Sequence, residues 1–438
     1  MKNQQTTKEA ILIKKPLEKV NGELYVDGVS AIKLAEEFGT PLYLMSENKI
    51  RENYRRFNSA FSRHYGKIRV LYSAKANTNI SILKILRSEG AWIDTVSAGE
   101  VYLALEAGFQ PEQIFYTGIN VGDEELHYVI EKKVKVNLDS LSQVKRLLKI
   151  GVPPALSVRI NTEFGAGHHA YVVTAGKTTK FGVQEETALK AYELAKGAGV
   201  ERFGIHMHIG SGIMDANSHL QAAEKLLMTA RRIHNELKIN FDFVDFGGGF
   251  GVPYKPDEKE ADIEHFGEKL VGLFKKRIAE YSLGEPELWF EPGRYMVAEA
   301  GILLTRVNAV KQTPDRKFVG VDAGFNTLIR PAMYGSYHHI LVANNLDAPS
   351  TEKYDVVGPI CESGDVLAKE RMLPPISEGD VLAILNAGAY GFSMSSQYNS
   401  RPRPAEVLVK DGRYALIRER ETFLDLIRGQ RIAEWLKN

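Results

Sequence analysis

Val70-Leu-Tyr-Ser-Ala-Lys75-Ala-Asn-Thr-Asn-Ile80 is an apolar run that ends in a lysine and a polar loop. The run predicts a short buried strand, and Lys75 then lies at its carboxyl end, where barrel and doubly wound enzymes keep their reactive groups. Lysine amines form Schiff bases with carbonyl compounds. Most lysines of a chain are solvated surface charges, so Lys75 is a catalytic candidate only if the rest of the sequence supplies matching chemistry.

Short apolar runs alternate with longer amphipathic stretches from about residue 40 to 300, which is the pattern of βα units on a parallel sheet. The candidate strands are 70–73, 92–95, 114–117, 134–138, 155–160, 203–208, 243–246 and 288–291. Helices are predicted between them, for example where Ser97 and Glu100 form a capping-box pattern. Eight such strands predict a closed (β/α)8 TIM-type barrel.

The pattern changes after about residue 305, where valine-rich alternation and turns such as Glu378-Gly-Asp380 replace helical periods. This change predicts a second, β-rich domain. The early stretch Gly22-Glu-Leu-Tyr-Val-Asp-Gly28 is a candidate hairpin that could join it. We therefore expect a barrel at 38–305, inserted between residues 8–37 and 306–438 of the β-rich domain.

The composition is that of a globular protein, with 44% hydrophobic and 25% charged residues among 438. A net charge of +1 supplies no electrostatic footprint for nucleic acid or an anionic membrane, so a small ligand is expected. No run reaches about 18 apolar residues and the polar start of the chain lacks a secretory core, which predicts a cytoplasmic protein. The single cysteine, Cys361, excludes a disulfide within the chain and a cysteine-rich zinc site.

Two loops at predicted strand ends supply further chemistry. Phe246-Gly-Gly-Gly-Phe-Gly251 follows the seventh strand, where barrels often bind phosphate, and glycines let backbone N–H groups surround an anion. A tight turn would explain these glycines equally well. Glu291-Pro-Gly-Arg294 closes the eighth strand, and a carboxylate beneath a heteroaromatic nitrogen keeps that nitrogen protonated. An exposed ion pair is the simpler alternative there.

Two histidines lie at the end of the sixth strand, in His206-Met-His208-Ile-Gly-Ser211, and period-two alternation puts both on the same face. Their spacing suits a metal, but no second His-rich strand end supplies further ligands. We therefore assign His208 the role of an aromatic platform, and Ser211 that of a hydrogen-bond donor to a phosphate. The pairs His168-His169 and His338-His339 are expected to be surface loop residues.

Cys361 lies in the turn-rich segment Gly358-Pro-Ile-Cys-Glu-Ser-Gly-Asp365. A structural cysteine usually lies within an apolar run, so this polar neighbourhood favours a reactive thiol. The flanking acids favour the protonated form, which suits a proton donor better than a nucleophile.

Six blocks of sequence follow one another in a recognisable order: Tyr72-Ser-Ala-Lys75, His208-Ile-Gly-Ser211, Gly247-Gly-Gly-Phe-Gly251, Glu291-Pro-Gly-Arg294, Cys361-Glu-Ser-Gly-Asp365 and Gly388-Ala-Tyr390. Together they resemble the fold-type III pyridoxal-phosphate decarboxylases, over nearly the whole chain. The resemblance implies an alanine-racemase-like barrel with a β-rich domain and pyridoxal 5'-phosphate as cofactor. It also implies decarboxylation of meso-2,6-diaminopimelate to L-lysine and CO2, the last step of lysine biosynthesis.

The same resemblance implies roles for individual residues. Lys75 would hold the cofactor as a Schiff base, His208 would stack on its ring and Glu291 would pair with the pyridine nitrogen. Asp94 and Glu100 match acids near the lysine, although Glu100 serves equally as a helix cap. The implied cofactor-binding residues are Lys75, Asp94, Arg159, His208, Ser211, Gly247, Gly248, Gly249, Glu291, Pro292, Gly293, Arg294 and Tyr390.

For the substrate, the resemblance implies a carboxylate clamp of Arg294, Arg330 and Tyr334, an ammonium acceptor at Glu362 and a further contact from Tyr390. Arginine matches a carboxylate through two parallel hydrogen bonds, which lysine cannot make. Cys361 would protonate the product carbon, and it would reach the site with Glu362 from a partner subunit, so an obligatory homodimer is expected. The segments 161–170 and 325–327 depart from the common family pattern.

Other functions stay open at this point. A related decarboxylase could act on ornithine, arginine, carboxynorspermidine or a carrier-linked amino acid. An alanine racemase would pair the pyridine nitrogen with arginine, which Glu291 argues against. A metal-dependent barrel hydrolase using His206 and His208, or a catalytically inactive regulatory subunit, would be a different class of protein.

Overall fold

The structure is a computed structural model that describes residues 13–167, 174–176 and 179–437. It divides into two compact units. The barrel unit contains residues 50–253 and 258–298, and the β unit contains the described residues up to 49, 254–257 and those from 299 onward. Residues 8–12 of the expected β-rich domain and the pair His168-His169 lie outside the described residues.

The chain begins with a small antiparallel sheet of strands β1 (Leu17–Val20), β2 (Glu23–Val26) and β3 (Val29–Ser30). Tight turns precede and follow β2, with positive φ at Asn21 and Gly22 and again at Asp27 and Gly28. The stretch expected to be one hairpin is therefore a strand between two turns, because both of its ends carry residues that tolerate positive φ. Helix α1 (Ala31–Phe38) and strand β4 (Leu42–Ser46) follow.

The barrel unit contains a closed barrel of eight parallel strands, which confirms the predicted fold class. Its strands are β5 (Ile68–Ser73), β6 (Trp92–Thr95), β7 (Ile114–Tyr116), β8 (Lys135–Leu138), β9 (Leu156–Arg159), β11 (Phe203–His206), β13 (Phe241–Asp245) and β14 (Glu287–Phe290). Closure comes from β14, which pairs with β5. Two short strands, β10 (Ala166–Gly167) and β12 (Gly210–Ser211), pair outside the barrel.

Helices connect the barrel strands. They are α2 (Glu47–Ser62), α3 (Ile80–Ser88), α4 (Ala98–Glu106), α5 (Asp123–Glu131), α6 (Leu141–Ile150), α7 (Glu185–Gly197), α8 (Asn217–Leu237), α9 (Ile263–Glu280) and the short α10 (Arg294–Val297). In α2, Phe57 and Phe61 lie one turn apart and both are buried, as their spacing predicts. In the described part of the chain, no helix combines the length and the apolar character needed to cross a membrane.

Aromatic side chains fill part of the barrel interior. The rings of Phe243 and Trp289 stack with their centroids 3.6 Å apart, and Phe115 meets both edge-on. A Cβ on Gly204 would lie 2.1 Å from the Phe243 ring, so β11 needs glycine there. This packed layer makes the barrel a solid core, with its chemistry restricted to the strand ends.

The rest of the β unit contains strands β15 (Gly301–Gln312), β16 (Lys317–Val321), β17 (Ile340–Val342), β18 (Glu352–Val357), β19 (Val366–Leu373), β20 (Val381–Ile384), β21 (Ala405–Lys410) and β22 (Arg413–Arg418), with short helices α11 (Arg330–Tyr334) and α12 (Phe423–Leu426). The main sheet has the order β19-β18-β16-β15-β4-β21-β22. Strand β4 lies antiparallel to β15 and parallel to β21. A β-rich domain joined by a segment from the start of the chain is therefore confirmed. Strand β4 belongs to its sheet, although residues 42–46 fall within the range 38–305 expected for the barrel.

Candidate active site

Lys75 lies in a short turn directly after β5, and its Nζ is 2.6 Å from Asp94 Oδ2. Asp94 is the second-last residue of strand β6, which pairs with β5, and it is fully buried. Two hydroxyls also donate to the Asp94 carboxylate, Ser73 to Oδ2 at 2.8 Å and Thr117 to Oδ1 at 2.6 Å. These contacts fix the carboxylate, which in turn orients the lysine amine.

Glu291 follows strand β14 and is buried beside His206, the last residue of β11. His206 Nε2 donates to Glu291 Oε2 at 3.2 Å, and Asn137 on β8 donates to His206 Nδ1 at 3.2 Å. Burial raises the pKa of Glu291, but the interactions with His206 and the positive charges of Lys75 and Arg159 outweigh it, so the pKa lies below its ordinary value. Glu291 is therefore an anion held by a fixed network.

Asp245, at the end of β13, lies against Glu291. Its Oδ1 accepts the Gly247 N–H at 2.7 Å. Ligand atoms of His206, Asp245 and Glu291 all lie within 4.8 Å of one another, and the three form a group of described residues that could hold a metal ion. His208, the partner of His206 in the hydrolase alternative, is not in this group.

His208 lies just beyond β11, and its Nδ1 accepts the Gly248 N–H at 3.0 Å. Burial, with the nearby charges of Arg159 and Lys75, holds the pKa of His208 well below its ordinary value. The ring is therefore neutral, with its hydrogen on Nε2. Arg159 donates to the His208 carbonyl at 3.2 Å, and burial lowers the pKa of Arg159 to about 10.

The glycine loop after β13 is shaped by close backbone approach. Gly247 and Gly249 have positive φ, and a Cβ on Gly248 would lie 2.1 Å from the Glu291 carbonyl. His219 Nε2 donates to the Gly248 carbonyl at 2.9 Å from helix α8. The loop therefore requires glycine both for its conformation and for its contact with the end of β14.

Ser211 and Arg294 meet beside this loop. Arg294 is buried, and its Nη2 lies 2.9 Å from Ser211 Oγ. Gly293 precedes Arg294 at the start of α10, and a Cβ there would lie 3.0 Å from Ser73 Cβ. A hydroxyl and a guanidinium beside a glycine loop form a donor set that suits an anion.

The structure brings together eleven of the thirteen implied cofactor-binding residues near the carboxyl ends of the barrel strands or in the loops that follow them. They are Lys75, Asp94, Arg159, His208, Ser211, Gly247, Gly248, Gly249, Glu291, Gly293 and Arg294. Pro292 lies between Glu291 and Gly293, and its carbonyl accepts the Ser73 N–H at 3.3 Å. Tyr390 belongs to the β unit, where its φ is +57°.

The implied substrate clamp in the β unit starts helix α11. Arg330 is buried, donates to Ser336 Oγ at 3.1 Å, and has its guanidinium 5.6 and 5.8 Å from the ring centroids of Tyr254 and Tyr334. Attraction to the two aromatic rings partly offsets the cost of burying the Arg330 cation. The clamp residues Arg330 and Tyr334 thus lie in contact.

Cys361 is a free, exposed thiol, and its backbone N–H donates to Asn399 at 2.8 Å. Glu362 is also exposed and accepts the Tyr398 hydroxyl at 2.7 Å. That hydrogen bond raises the pKa of Tyr398. Both candidate residues are therefore presented outward from the β unit.

One expectation is wrong. His338, expected at the surface, is fully buried, with its Nδ1 2.8 Å from the Leu385 carbonyl and its ring 5.2 Å from that of Tyr254. Burial also lowers the pKa of His339 to about 4. The loop before β17 is covered by residues distant in sequence, which its polar composition did not indicate.

Sequence reasoning missed several residues of the site: Ser73, Thr117, Asn137 and Asp245. Each lies at or just beyond the end of a barrel strand. A signal was available, because a polar residue at the carboxyl end of an apolar barrel strand is typical of an active site.

The residues present fit pyridoxal phosphate. Glu291 Oε1 is buried and receives no N–H or O–H from the described residues, so it can accept a hydrogen bond from a protonated ring nitrogen. Lys75 supplies a primary amine, and Ser211, Arg294 and the glycine loop supply anion donors. The chemistry of the donor set thus matches the carbonyl, the ring nitrogen and the phosphate.

Residues 47–298 match the family model described as the pyridoxal-binding domain of pyridoxal-dependent decarboxylases. Fold and site thus define the class as pyridoxal-dependent decarboxylases. Diaminopimelate decarboxylase from Methanothermobacter thermautotrophicus is 56% identical over 414 residues, 94% of this chain and 96% of that protein. The chain belongs to the diaminopimelate decarboxylase family.

Solved structures of other decarboxylases have the same fold as this chain. The diaminopimelate decarboxylase of Methanocaldococcus jannaschii in complex with L-lysine has a TM-score of 0.90 at 36% identity, covering 96% of this chain and 99% of that one. The lysine/ornithine decarboxylase of Vibrio vulnificus has a TM-score of 0.74 at 21% identity, covering 87% of this chain and 97% of that one. The second likeness is one of fold alone.

Proposed function

We propose that the protein catalyses the pyridoxal-phosphate-dependent decarboxylation of meso-2,6-diaminopimelate to L-lysine and CO2, the last step of lysine biosynthesis. The observation that carries this proposal is the Lys75–Asp94 pair facing the buried Glu291 at the barrel strand ends. The named activity of relatives at 56% and 42% identity supports the choice of substrate.

In this proposal the barrel unit holds the cofactor. Lys75 binds its carbonyl carbon, Glu291 accepts its ring N–H, and His208 presents a neutral ring to its face. Ser211, Gly247 to Gly249, the 292–294 backbone and Tyr390 hold its phosphate. When bound, pyridoxal phosphate supplies the electron sink that makes loss of CO2 feasible.

The protein's own groups then control charge and protons. Asp94, fixed by Ser73 and Thr117, keeps the Lys75 amine aimed at one point. Glu291 stays ionised because His206 and Arg159 oppose the effect of burial. Cys361 donates a proton to the carbon that has lost CO2, so its exposed thiol must be covered in the working enzyme.

The far end of the substrate carries a carboxylate and an ammonium. Arg294, Arg330 and Tyr334 bind the carboxylate, Glu362 accepts the ammonium, and Tyr390 adds a contact. Two arginines favour this substrate over ornithine, which has only an ammonium at that end.

We also propose a homodimer in which Cys361 and Glu362 serve the partner's site. Both are exposed in the single chain. Large apolar side chains near the end of the chain are also exposed, Phe423 at 78% and Trp435 at 86%. Such side chains are typical of surfaces that a second subunit covers.

The test is CO2 release by the purified protein from meso-, LL- and DD-diaminopimelate, with ornithine and arginine in parallel. We expect turnover of the meso isomer alone, and abolition by Lys75→Ala. Preference for ornithine, arginine or another amino acid would assign a different decarboxylase on the same scaffold. Borohydride should trap the cofactor on Lys75, and a protein without a trappable cofactor would contradict the proposal.

A further inference from the structure

Two carboxyl groups are buried side by side at the ends of β13 and β14. Asp245 is fully buried and Glu291 nearly so, and a carboxylate oxygen of each lies within 4.8 Å of the other. Asp245 Oδ2 and Glu291 Oε1 are both enclosed, and neither receives an N–H or O–H from the described residues. Two buried carboxylates in contact oppose each other's ionisation, and this arrangement favours a single proton held between them.

The surroundings decide which group carries that proton. Glu291 receives a hydrogen bond from His206 and faces the charges of Lys75 and Arg159. Asp245 receives one neutral N–H, from Gly247, and is faced by the carboxylates of Glu291 and Asp94. His206 also lies within 4.8 Å of Asp245, but its Nε2 is directed at Glu291. Positive charge therefore stabilises the anion on Glu291 and leaves the proton on Asp245. Burial, followed by the charge of Glu291, correspondingly raises the pKa of Asp245 well above its ordinary value.

We propose that Asp245 is a positioning residue that remains a neutral carboxylic acid in the folded protein and donates its proton to Glu291. A carboxylate has about four lone-pair positions, so Glu291 can accept from His206 and Asp245 and still bind a ring N–H. Asp245 thus keeps Glu291 both ionised and correctly oriented. The consequence for the cofactor rests on the proposed function, whereas the buried proton itself does not.

The first experiment uses the cofactor-free protein and Asp245→Asn. Asparagine keeps an acceptor for Gly247 N–H and a neutral donor for Glu291. Unfolded aspartate is ionised at neutral pH while folded Asp245 is protonated, so wild-type stability falls as pH rises above the ordinary aspartate pKa of 3.8. We expect the denaturation midpoint of Asp245→Asn, relative to wild type, to increase with pH.

The carboxyl proton also has a direct signature. The infrared carbonyl band of a protonated carboxylic acid should persist at neutral pH in the wild type and weaken in Asp245→Asn. Asp242→Asn, on the same strand but paired with Arg202 and partly exposed, is the matched control and should change neither measurement. Parallel pH profiles with an unchanged band would overturn the buried proton.

The second experiment measures pyridoxal phosphate affinity. Asp245→Ala should weaken cofactor binding by about tenfold or more, because it removes the residue that orients the binding residue Glu291. Asp245→Asn should retain most of the wild-type affinity. Equal loss in both variants would show that the negative charge of Asp245, and not its proton, is needed. If wild type binds no pyridoxal phosphate, the proposed function fails, while the measurements on the cofactor-free protein still decide where the proton lies.

Discussion

Replacing Glu100 by glutamine removes a carboxyl group whose pKa burial raises from 4.5 to about 7. Glu100 lies in the first turn of α4, and its carboxylate accepts the Val96 N–H at 2.8 Å. The capping box predicted there forms only in part, because Ser97 Oγ accepts the Glu100 N–H while the Glu100 side chain turns to Val96. Glutamine keeps an oxygen for Val96 and cannot ionise.

The size of the change in stability follows from the shift in the pKa of Glu100. Unfolded glutamate loses its proton near pH 4.5, but folded Glu100 keeps its proton until about pH 7. The stability of the folded protein therefore falls as pH rises through this window. One pKa unit corresponds to about 1.4 kcal/mol, so the group costs the folded state about 3 kcal/mol once both states are ionised. Glu100→Gln removes that cost.

The assay is denaturant unfolding of the cofactor-free protein at about pH 5 and about pH 8.5, with proton uptake as a second readout. The two proteins should be similar in stability at the lower pH, and the variant should gain up to about 3 kcal/mol over wild type at the higher pH. Glu106→Gln, an exposed position on the same helix, is the control. A constant difference between variant and wild type across the pH range would refute the reasoning.

Three further outcomes are expected. Ser97→Ala removes the α4 cap and should lower the free energy of unfolding by about 1 kcal/mol in denaturant titration; no change would mean that water replaces the cap. Cys361→Ala should leave the cofactor spectrum normal and lower kcat by roughly a hundredfold or more, whereas an unchanged rate would show that the thiol only packs. Arg330→Lys should raise KM by roughly tenfold or more, the equivalent of a charge-assisted hydrogen bond of about 1.5–3 kcal/mol, with kcat less affected; an unchanged KM would mean that Arg330 does not bind substrate.

The barrel could be predicted because its strands alternate with helices of clear period, and the ends of those strands carry Lys75, Asp94 and Glu291. Residues that act through another residue could not be found in this way. Asp245 ends an apolar strand, and its importance arises from contact with Glu291, just beyond the next strand of the barrel. His338 looked like a surface residue because sequence alone does not show that Tyr254 covers it.

Strand β4 has a consequence for synthesis of the protein. Its neighbours are β15 and β21, and β21 does not leave the ribosome until residues 405–410 are made. At about 5–20 residues per second, β4 waits roughly 20 to 70 s for that partner. The barrel has all of its strands by residue 290. A nascent chain therefore carries an open sheet edge long after its barrel is complete, and a chain truncated before Ala405 would keep that edge available for aggregation.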